Sequence, residues 1–260
     1  HGAGALVLGD VLAAGVAAAL AWLLAPPMRA GPDRALAADG LRVVGTRLAD
    51  TAFAQADRLL VGSRLGTAAL GFYGFAWRHA MALVQHALPV AEQVALPVFS
   101  RLQDDRQGLA RAYLGLTRVL ALVLVPAAAL LHALAPWLVG VLYPDRWAEA
   151  VPAMRALCVA AAAAGLNSDP GLLWMALGRM RLRLLWSLGN LAVLVPLLWI
   201  GASHGLVAVA YALAARSLLA TVAAQAISKR VAGVPHAAYG RALVPGVVAG
   251  AVVAAVAAAL

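Results

Sequence analysis

Charged side chains recur on one face of a helix in the stretch from Gly45 to Trp77. At helical spacing this face presents an arginine, two carboxylates and two aliphatic side chains: Arg47, Asp50, Ala54, Asp57 and Val61. The surrounding segment is otherwise apolar enough to cross a membrane. Because a charge at mid-bilayer costs about 3 kcal/mol or more, this face is expected to avoid lipid.

A second polar stripe follows in the segment Ala68–Ser100. Pairs of polar residues recur every seven positions: Arg78 and His79, Gln85 and His86, Glu92 and Gln93. A seven-residue repeat drifts by only about 20° per repeat around a helix, so these pairs share one side. Two consecutive helices with such stripes satisfy them most simply by facing a shared, watered cavity. This cavity is the predicted binding site, although each histidine could equally be a packing residue.

The composition is that of an integral membrane protein. Hydrophobic residues make up 64% of the chain, charged residues 12%, and the mean hydropathy is +0.87. Soluble domains carry about 25% charged residues. Apolar runs of about 20 residues predict an all-α, polytopic membrane helix bundle of about eight transmembrane helices, the last of them cut short. His1 is not a methionine and Leu260 lies within an apolar run, so a fragment is expected at both ends.

Basic residues fix the predicted orientation. Of the 20 Lys and Arg residues, eleven lie in four alternate connections: Arg29 and Arg34; Arg101, Arg106 and Arg111; Arg179, Arg181 and Arg183; Lys229, Arg230 and Arg241. The positive-inside rule places these connections in the cytoplasm. The same rule accounts for the net charge of +9 without a nucleic-acid partner. The predicted spans are Ala3–Leu24, Leu41–Ser63, Ala68–Ser100, Leu109–Ala133, Ala148–Gly178, Leu182–Ala202, Leu206–Ile227 and a last one from Val247.

Two later helices carry further polar residues. Asn167, Asp169 and Pro170 interrupt the span Ala148–Gly178, and Asp followed by Pro predicts an N-cap and a helix restarting at Pro170. Broken helices within a membrane are typical of transporters, but a misplaced outer connection is the alternative. On Leu206–Ile227, Ser217, Thr221, Gln225 and Ser228 share a face beside Arg216, a pattern that usually indicates close helix packing.

The sequence contains none of the common catalytic or metal-binding motifs. It has no Gly-rich phosphate loop, no HExxH, no metal-spaced His and Cys cluster and no nucleophile elbow. Cys158 is the single cysteine, so no intrachain disulfide can form. We therefore predict a protein that is not an enzyme, with no catalytic residues, no cofactor and no metal.

Two motifs resemble a known family. DRLLVGSRLGTAALGFY at Asp57–Tyr73 and LPVFSRLQ at Leu96–Gln103 are similar to the polysaccharide-transporter branch of the multidrug, oligosaccharidyl-lipid and polysaccharide exporter superfamily, closest to the O-antigen and exopolysaccharide flippases. The resemblance covers roughly Leu41–Val231. It implies two lobes of six helices around a central cavity that opens alternately to each side of the membrane.

The resemblance also implies a domain organisation. Residues 1–27 would be the last helix of the first lobe, 28–40 a cytoplasmic linker, and 41–231 the six-helix second lobe of this two-lobed transporter. Residues 232–260 would form an amphipathic connection and the start of a supplementary helix. The implied substrate is a lipid-linked oligosaccharide on polyprenyl pyrophosphate, moved across the cell inner membrane; the polysaccharide polymerase machinery is a further candidate partner beside membrane lipid.

For such a substrate, guanidinium groups are the expected anion ligands. Arg47, Arg58 and Arg78 are the candidates; Asp50, Asp57 and Glu92 would hold them in place or couple transport to protons or sodium. The alternative is that Arg47 with Asp50, and Arg78 with Glu92, form ion pairs that only join helices.

Three other functions stay open. A drug or cation antiporter of the same superfamily would need a net acidic cavity, whereas arginines match or exceed the acids here. A membrane glycosyltransferase would need a larger extramembranous loop. A non-transporting scaffold of the polysaccharide machinery is the third alternative.

Overall fold

The computed structural model describes residues 34–259, and every regular element in that part of the chain is helical. The predicted span Ala3–Leu24 and residues 28–33 of the predicted linker lie outside the described residues. A boundary between two compact units falls between Leu41 and Arg42. The cavity described below lies in the unit Arg42–Leu260.

The first helix, α1 (Arg34–Arg101), is folded back on itself at Gly66. Gly66 has φ 85° and ψ 179°, a backbone conformation open mainly to glycine, and it separates an arm of residues 34–65 from an arm of residues 67–101. Tyr73 Oη donates to Asp57 Oδ2 at 2.6 Å across this bend, so the two arms run antiparallel. The bend falls within the turn predicted at Arg64–Thr67.

Six further α-helices and one 3-10 helix follow in the described chain: α2 (Arg106–Leu142), the 3-10 helix (Asp145–Ala150), α3 (Val151–Leu166), α4 (Ser168–Ala176), α5 (Met180–Ala202), α6 (Leu206–Ala232) and α7 (His236–Ala259). Asp105 caps α2, because its side chain accepts hydrogen bonds from the backbone N–H groups of Gln107 and Gly108. Gly233 ends α6 with φ 72°, the left-handed conformation common after helices.

Five segments of the described chain are long and apolar enough to cross a membrane: Arg106–Leu142, Asp145–Ala176, Met180–Ala202, Leu206–Ala232 and His236–Ala257. The predicted spans Leu41–Ser63 and Ala68–Ser100 correspond to the two arms of α1, which are not among these five because polar side chains lower their hydropathy. The predicted fold class, an all-α polytopic bundle, is confirmed, and the chain is a multi-pass membrane protein.

Helix packing brings distant parts of the sequence together. α7 packs along α2, and α3 packs against both α2 and α6, which also contacts α5. Gly246 permits the close approach of α7, because a Cβ atom there would overlap the backbone carbonyl of Ala121. The N-terminal arm of α1 reaches α5 at Gly45, where an added Cβ would lie 3.4 Å from Leu184 Cδ1.

The connections alternate between the two ends of the bundle. Residues 102–105, 177–179 and 233–235 join consecutive antiparallel helices at one end, which we call the basic end because Arg101, Arg106, Arg179, Lys229 and Arg230 flank it. The basic connection predicted over Lys229–Gly246 is shorter than expected. Lys229 and Arg230 lie in the last turn of α6, where cations favour a helix C-terminus, and α7 begins at His236.

Candidate functional site

A polar cavity of about 260 Å³ lies among α1, α3, α4, α5 and α6. Its charged and polar lining comes from five separate regions of sequence: Asp50, Glu92, Asn167, Arg183, Ser187, Asn190 and Arg216. Apolar side chains, among them Phe53, Leu172 and Trp186, complete the walls. The combination of an apolar wall with a few convergent polar groups is typical of a ligand site.

Asp50 is joined to α5 through both of its carboxylate oxygens. Arg183 Nη2 donates to Asp50 Oδ2 at 2.8 Å, and Ser187 Oγ donates to Asp50 Oδ1 at 2.7 Å. Arg183 Nη1 also donates to Ser187 Oγ. The side chains of Arg183 and Asp50 remain 23% and 38% exposed, so this is a partly solvated ion pair at the cavity wall.

Arg216 differs from Arg183 in having no carboxylate partner among the side chains that the structure describes. It is only 6% exposed. Its Nη2 donates to Asn190 Oδ1 at 3.0 Å, and its guanidinium carbon lies 4.5 Å from the centre of the Phe53 ring. Its Nε is buried and has no acceptor in the described chain. A buried charge without a counter-ion is costly, and an anion bound beside this guanidinium would offset that cost.

An adjoining cavity of about 200 Å³ extends the site toward the start of α5. It shares Asp50, Glu92 and Arg183 with the polar cavity and adds Arg47. Glu92 and Arg47 are both exposed. The two cavities together therefore carry three arginines and two carboxylates, of which one arginine and one carboxylate neutralise each other.

The site reaches from the middle of the bundle toward the basic end, while Arg216 itself lies about 15 Å from the start of α6 at the opposite end. Arg183 lies one turn into α5, and at 1.5 Å per residue Asn190 is about 15 Å from the start of that helix. Asn167 and Met175 lie on the last stretch before the connection 177–179. A ligand arriving from the basic end would thus meet Arg47 and Arg183 before Arg216.

Helices α3 and α4 meet two residues before the predicted restart at Pro170. α3 ends at Leu166, Asn167 has φ −80° and ψ −7°, and α4 begins at Ser168. The residue at the N-cap is therefore Asn167 rather than Asp169, and Pro170 is the third residue of α4. Because Asn167 keeps near-helical angles, the interruption is short, and its side chain lines the cavity.

A family model described as "Polysaccharide biosynthesis protein" matches residues 1–152, which is more than half of the chain. The chain belongs to this polysaccharide biosynthesis protein family. The match includes Arg47, Asp50 and Glu92 but ends before α5 and α6, which supply Arg183, Ser187, Asn190 and Arg216.

Three curated relatives each match a little over half of the chain. They are the teichuronic acid biosynthesis protein TuaB of Bacillus subtilis (27% identical, covering 57% of this chain and 31% of TuaB), an uncharacterized membrane protein in the cps region of Klebsiella pneumoniae (26%, covering 54% and 29%), and the lipopolysaccharide biosynthesis protein WzxC of Escherichia coli (24%, covering 55% and 29%). Each alignment thus covers about a third of the relative's own length. No solved structure matches this chain.

Of the nine side chains predicted to line the cavity, the structure brings Arg47, Asp50 and Glu92 together. Asp57, on the same helix face as Asp50, is instead only 4% exposed and hydrogen-bonded to Tyr73 within the α1 hairpin. The guanidinium of Arg58 lies 4.4 Å from the Trp77 ring centre on the other arm. These two residues join the arms of α1 and do not line the cavity.

The other four lie along the second arm of α1. His79 Nε2 lies 2.9 Å from Tyr143 Oη, within an aromatic cluster that includes Phe75 and Trp147. Arg78, Gln85 and His86 are exposed, and His86 Nδ1 contacts the carbonyl oxygen of Ala82 on its own helix. None of the four lines either cavity described above. Within residues 34–259, no three His, Cys, Asp or Glu side chains are grouped so that they could hold a metal ion.

Sequence reasoning missed the α5 side of the site. Arg183 follows Arg179 and Arg181 and was counted with them in a cytoplasmic connection, yet it lies inside α5 and binds Asp50. Arg183, Ser187 and Asn190 fall at positions i, i+4 and i+7, a polar stripe in an otherwise apolar helix that could have identified this face. The hydroxyl stripe of α6 does pack: Thr221 Oγ1 donates to the Ala163 carbonyl of α3, and Gln225 binds Tyr113 of α2.

Proposed function

We propose that this protein is part of a transporter that moves a lipid-linked oligosaccharide across the cytoplasmic membrane for cell-surface polysaccharide biosynthesis. The substrate would be of the polyprenyl-pyrophosphate type, passed outward by alternating access, and the protein would catalyse no bond formation. Membership of the polysaccharide biosynthesis family supports this proposal, as do relatives named for teichuronic acid and lipopolysaccharide biosynthesis.

The observation that carries the proposal is Arg216. Its guanidinium is buried at the wall of a cavity and has no carboxylate partner in the described chain. Guanidinium groups bind phosphate oxygens in a fixed bidentate geometry, and such charge-assisted hydrogen bonds are stronger in a partly desolvated site. A pyrophosphate would supply the missing negative charge.

Further groups around Arg216 suit a hydrated sugar. Asn190 and Ser187 are polar side chains on the same wall, and Asn167 Oδ1 is buried without a partner in the described chain. The Trp186 ring adds a flat apolar surface. These groups offer hydrogen bonds to sugar hydroxyls next to the anion site.

The position of the site agrees with the direction of transport. The cavity extends from the middle of the bundle toward the basic end, which the positive-inside rule assigns to the cytoplasm. Lipid-linked oligosaccharides would reach the cavity from that leaflet. The antiporter alternative is less well supported, because an uncompensated arginine at the wall repels a cationic drug.

Deleting the gene and complementing it tests the proposal. The wild-type gene and an Arg78→Gln variant, which changes an exposed arginine outside the cavity, should restore surface polysaccharide. An Arg216→Gln variant should leave lipid-linked repeat units accumulating on the cytoplasmic leaflet. Deletion without any such accumulation, together with greater sensitivity to cationic drugs, would instead indicate an antiporter. If the deletion strain still flipped its lipid-linked repeat units normally but made no surface polysaccharide, the protein would be a scaffold.

A further inference from the structure

An apolar groove of about 290 Å³ runs between α5 and α6 directly beside the polar cavity. Its walls are built from residues at helical spacing on the two helices: Trp186, Gly189 and Val193 of α5, and Leu219, Ala220 and Ala223 of α6. These positions span seven residues of α5, or about 10 Å. Val193 and Leu219 are exposed.

The groove and the polar cavity meet at three shared residues. Trp186, Asn190 and Arg216 line both of them. The hydrogen bond from Arg216 Nη2 to Asn190 Oδ1 at 3.0 Å therefore marks the boundary between a polar and an apolar compartment. An anion bound to Arg216 would have polar groups on one side and hydrocarbon walls on the other.

We infer that the groove between α5 and α6 holds the hydrocarbon tail of the lipid whose anionic head group binds Arg216. This inference rests on the proposed function and adds to it a site for the tail. A molecule with a charged group joined directly to an apolar chain matches this pair of compartments, with the junction at Arg216. A cavity of about 150 Å³ accommodates benzene, so the groove has room for the first part of such a chain.

The groove would also let the two parts of an amphiphilic lipid keep the different surroundings that each requires during transport. The tail favours an apolar surrounding by about 0.8 kcal/mol per CH₂ group, whereas the head group needs the polar cavity. A groove that joins the cavity laterally lets the head group bind Arg216 while the tail stays among apolar side chains.

Filling the groove tests the inference. Gly189 lines the groove and is exposed in α5, and a Cβ atom there would meet no atom within 4 Å, so Gly189→Phe can direct a ring into the groove from an open position. Gly115 of α2 is equally exposed and open but lies outside the groove, which makes Gly115→Phe the matched control. The wild-type protein and both variants would be placed in lipid nanodiscs. Binding of inorganic pyrophosphate and of farnesyl pyrophosphate would be measured by calorimetry.

The expected result is selective. Gly189→Phe should weaken binding of farnesyl pyrophosphate by about tenfold, equivalent to about 1.4 kcal/mol, and leave inorganic pyrophosphate binding unchanged; Gly115→Phe should change neither. In the wild-type protein, a farnesyl pyrophosphate bearing a diazirine on its tail should label Val193, Leu219 or Ala223.

Other outcomes separate the two proposals. Equal farnesyl pyrophosphate affinity in Gly189→Phe and wild type, or photolabel confined to other helices, would overturn the tail site while pyrophosphate binding still supports the anion site. Failure of both ligands to bind the wild-type protein saturably would overturn both.

Discussion

Neutralising Asp50 should have opposite effects on stability and on anion binding. In Asp50→Asn, Arg183 loses its carboxylate partner, so the folded state should lose stability. The cavity also loses one negative charge, so an anion at Arg216 should bind more tightly. An ordinary structural ion pair would show only the first effect.

The expected sizes follow from the geometry. Arg183 Nη2 lies 2.8 Å from Asp50 Oδ2, but the side chains are 23% and 38% exposed. Exposed pairs contribute about 0 to 1 kcal/mol and breaking a buried pair costs about 3 to 5 kcal/mol, so a loss of roughly 1 to 2 kcal/mol is expected. For an anion taken at roughly 8 Å from the Asp50 carboxylate, the repulsion between two unit charges is about 2 kcal/mol at an effective dielectric constant of about 20. With partial solvent screening, pyrophosphate affinity should rise by about five- to tenfold.

Two measurements check this prediction. Unfolding by SDS in mixed micelles gives the stability change, and calorimetry in nanodiscs gives the pyrophosphate affinity. Asp104→Asn is the control, because Asp104 is an exposed carboxylate in the connection 102–105, and it should change neither quantity appreciably. Weaker or unchanged pyrophosphate binding in Asp50→Asn would refute the view that Asp50 limits the positive charge of the cavity.

Three further changes test other parts of the structure. Tyr73→Phe should destabilise the protein by about 1.5 to 3 kcal/mol, since buried Asp57 loses a charge-assisted hydrogen bond, but should leave pyrophosphate affinity unaltered; an unchanged unfolding free energy would contradict the hairpin contact. Gly246→Ala should cost about 1 to 3 kcal/mol through overlap with α2, whereas Gly240→Ala, at an open position of α7, should not destabilise; equal unfolding midpoints would argue against the close α2–α7 packing. Arg78→Gln should bind pyrophosphate with wild-type affinity. A tenfold loss of affinity would indicate that Arg78 takes part in binding the anion.

Periodicity predicted the helices and part of the site. Spacing on the first helix identified Asp50 and Asp57 as members of one polar face. It could not distinguish their roles, because the chain folds back at Gly66 and brings Tyr73 to Asp57, while Asp50 lies two turns farther from the bend and meets α5. The partner of each carboxylate is decided by tertiary packing.

Charge rules misplaced Arg183, one of the residues that complete the site. Arg183 lies 133 positions from Asp50, and its neighbours Arg179 and Arg181 made it resemble part of a basic connection. Arg216 stood beside a stripe of small hydroxyl residues that indicated packing. Only the folded arrangement reveals that Arg183 is paired and that Arg216 has no carboxylate partner among the described side chains.

The most direct test of the central claim is the affinity of inorganic pyrophosphate for the wild-type protein, Arg216→Lys and Arg216→Gln, measured by calorimetry in nanodiscs. Loss of charge-assisted hydrogen bonds worth about 1.5 to 3 kcal/mol predicts roughly 10- to 150-fold weaker binding for Arg216→Gln. Arg216→Lys should lie between the two, because lysine keeps the charge but not the bidentate geometry. Equal affinities in all three proteins would show that the buried guanidinium of Arg216 plays no part in binding the anion.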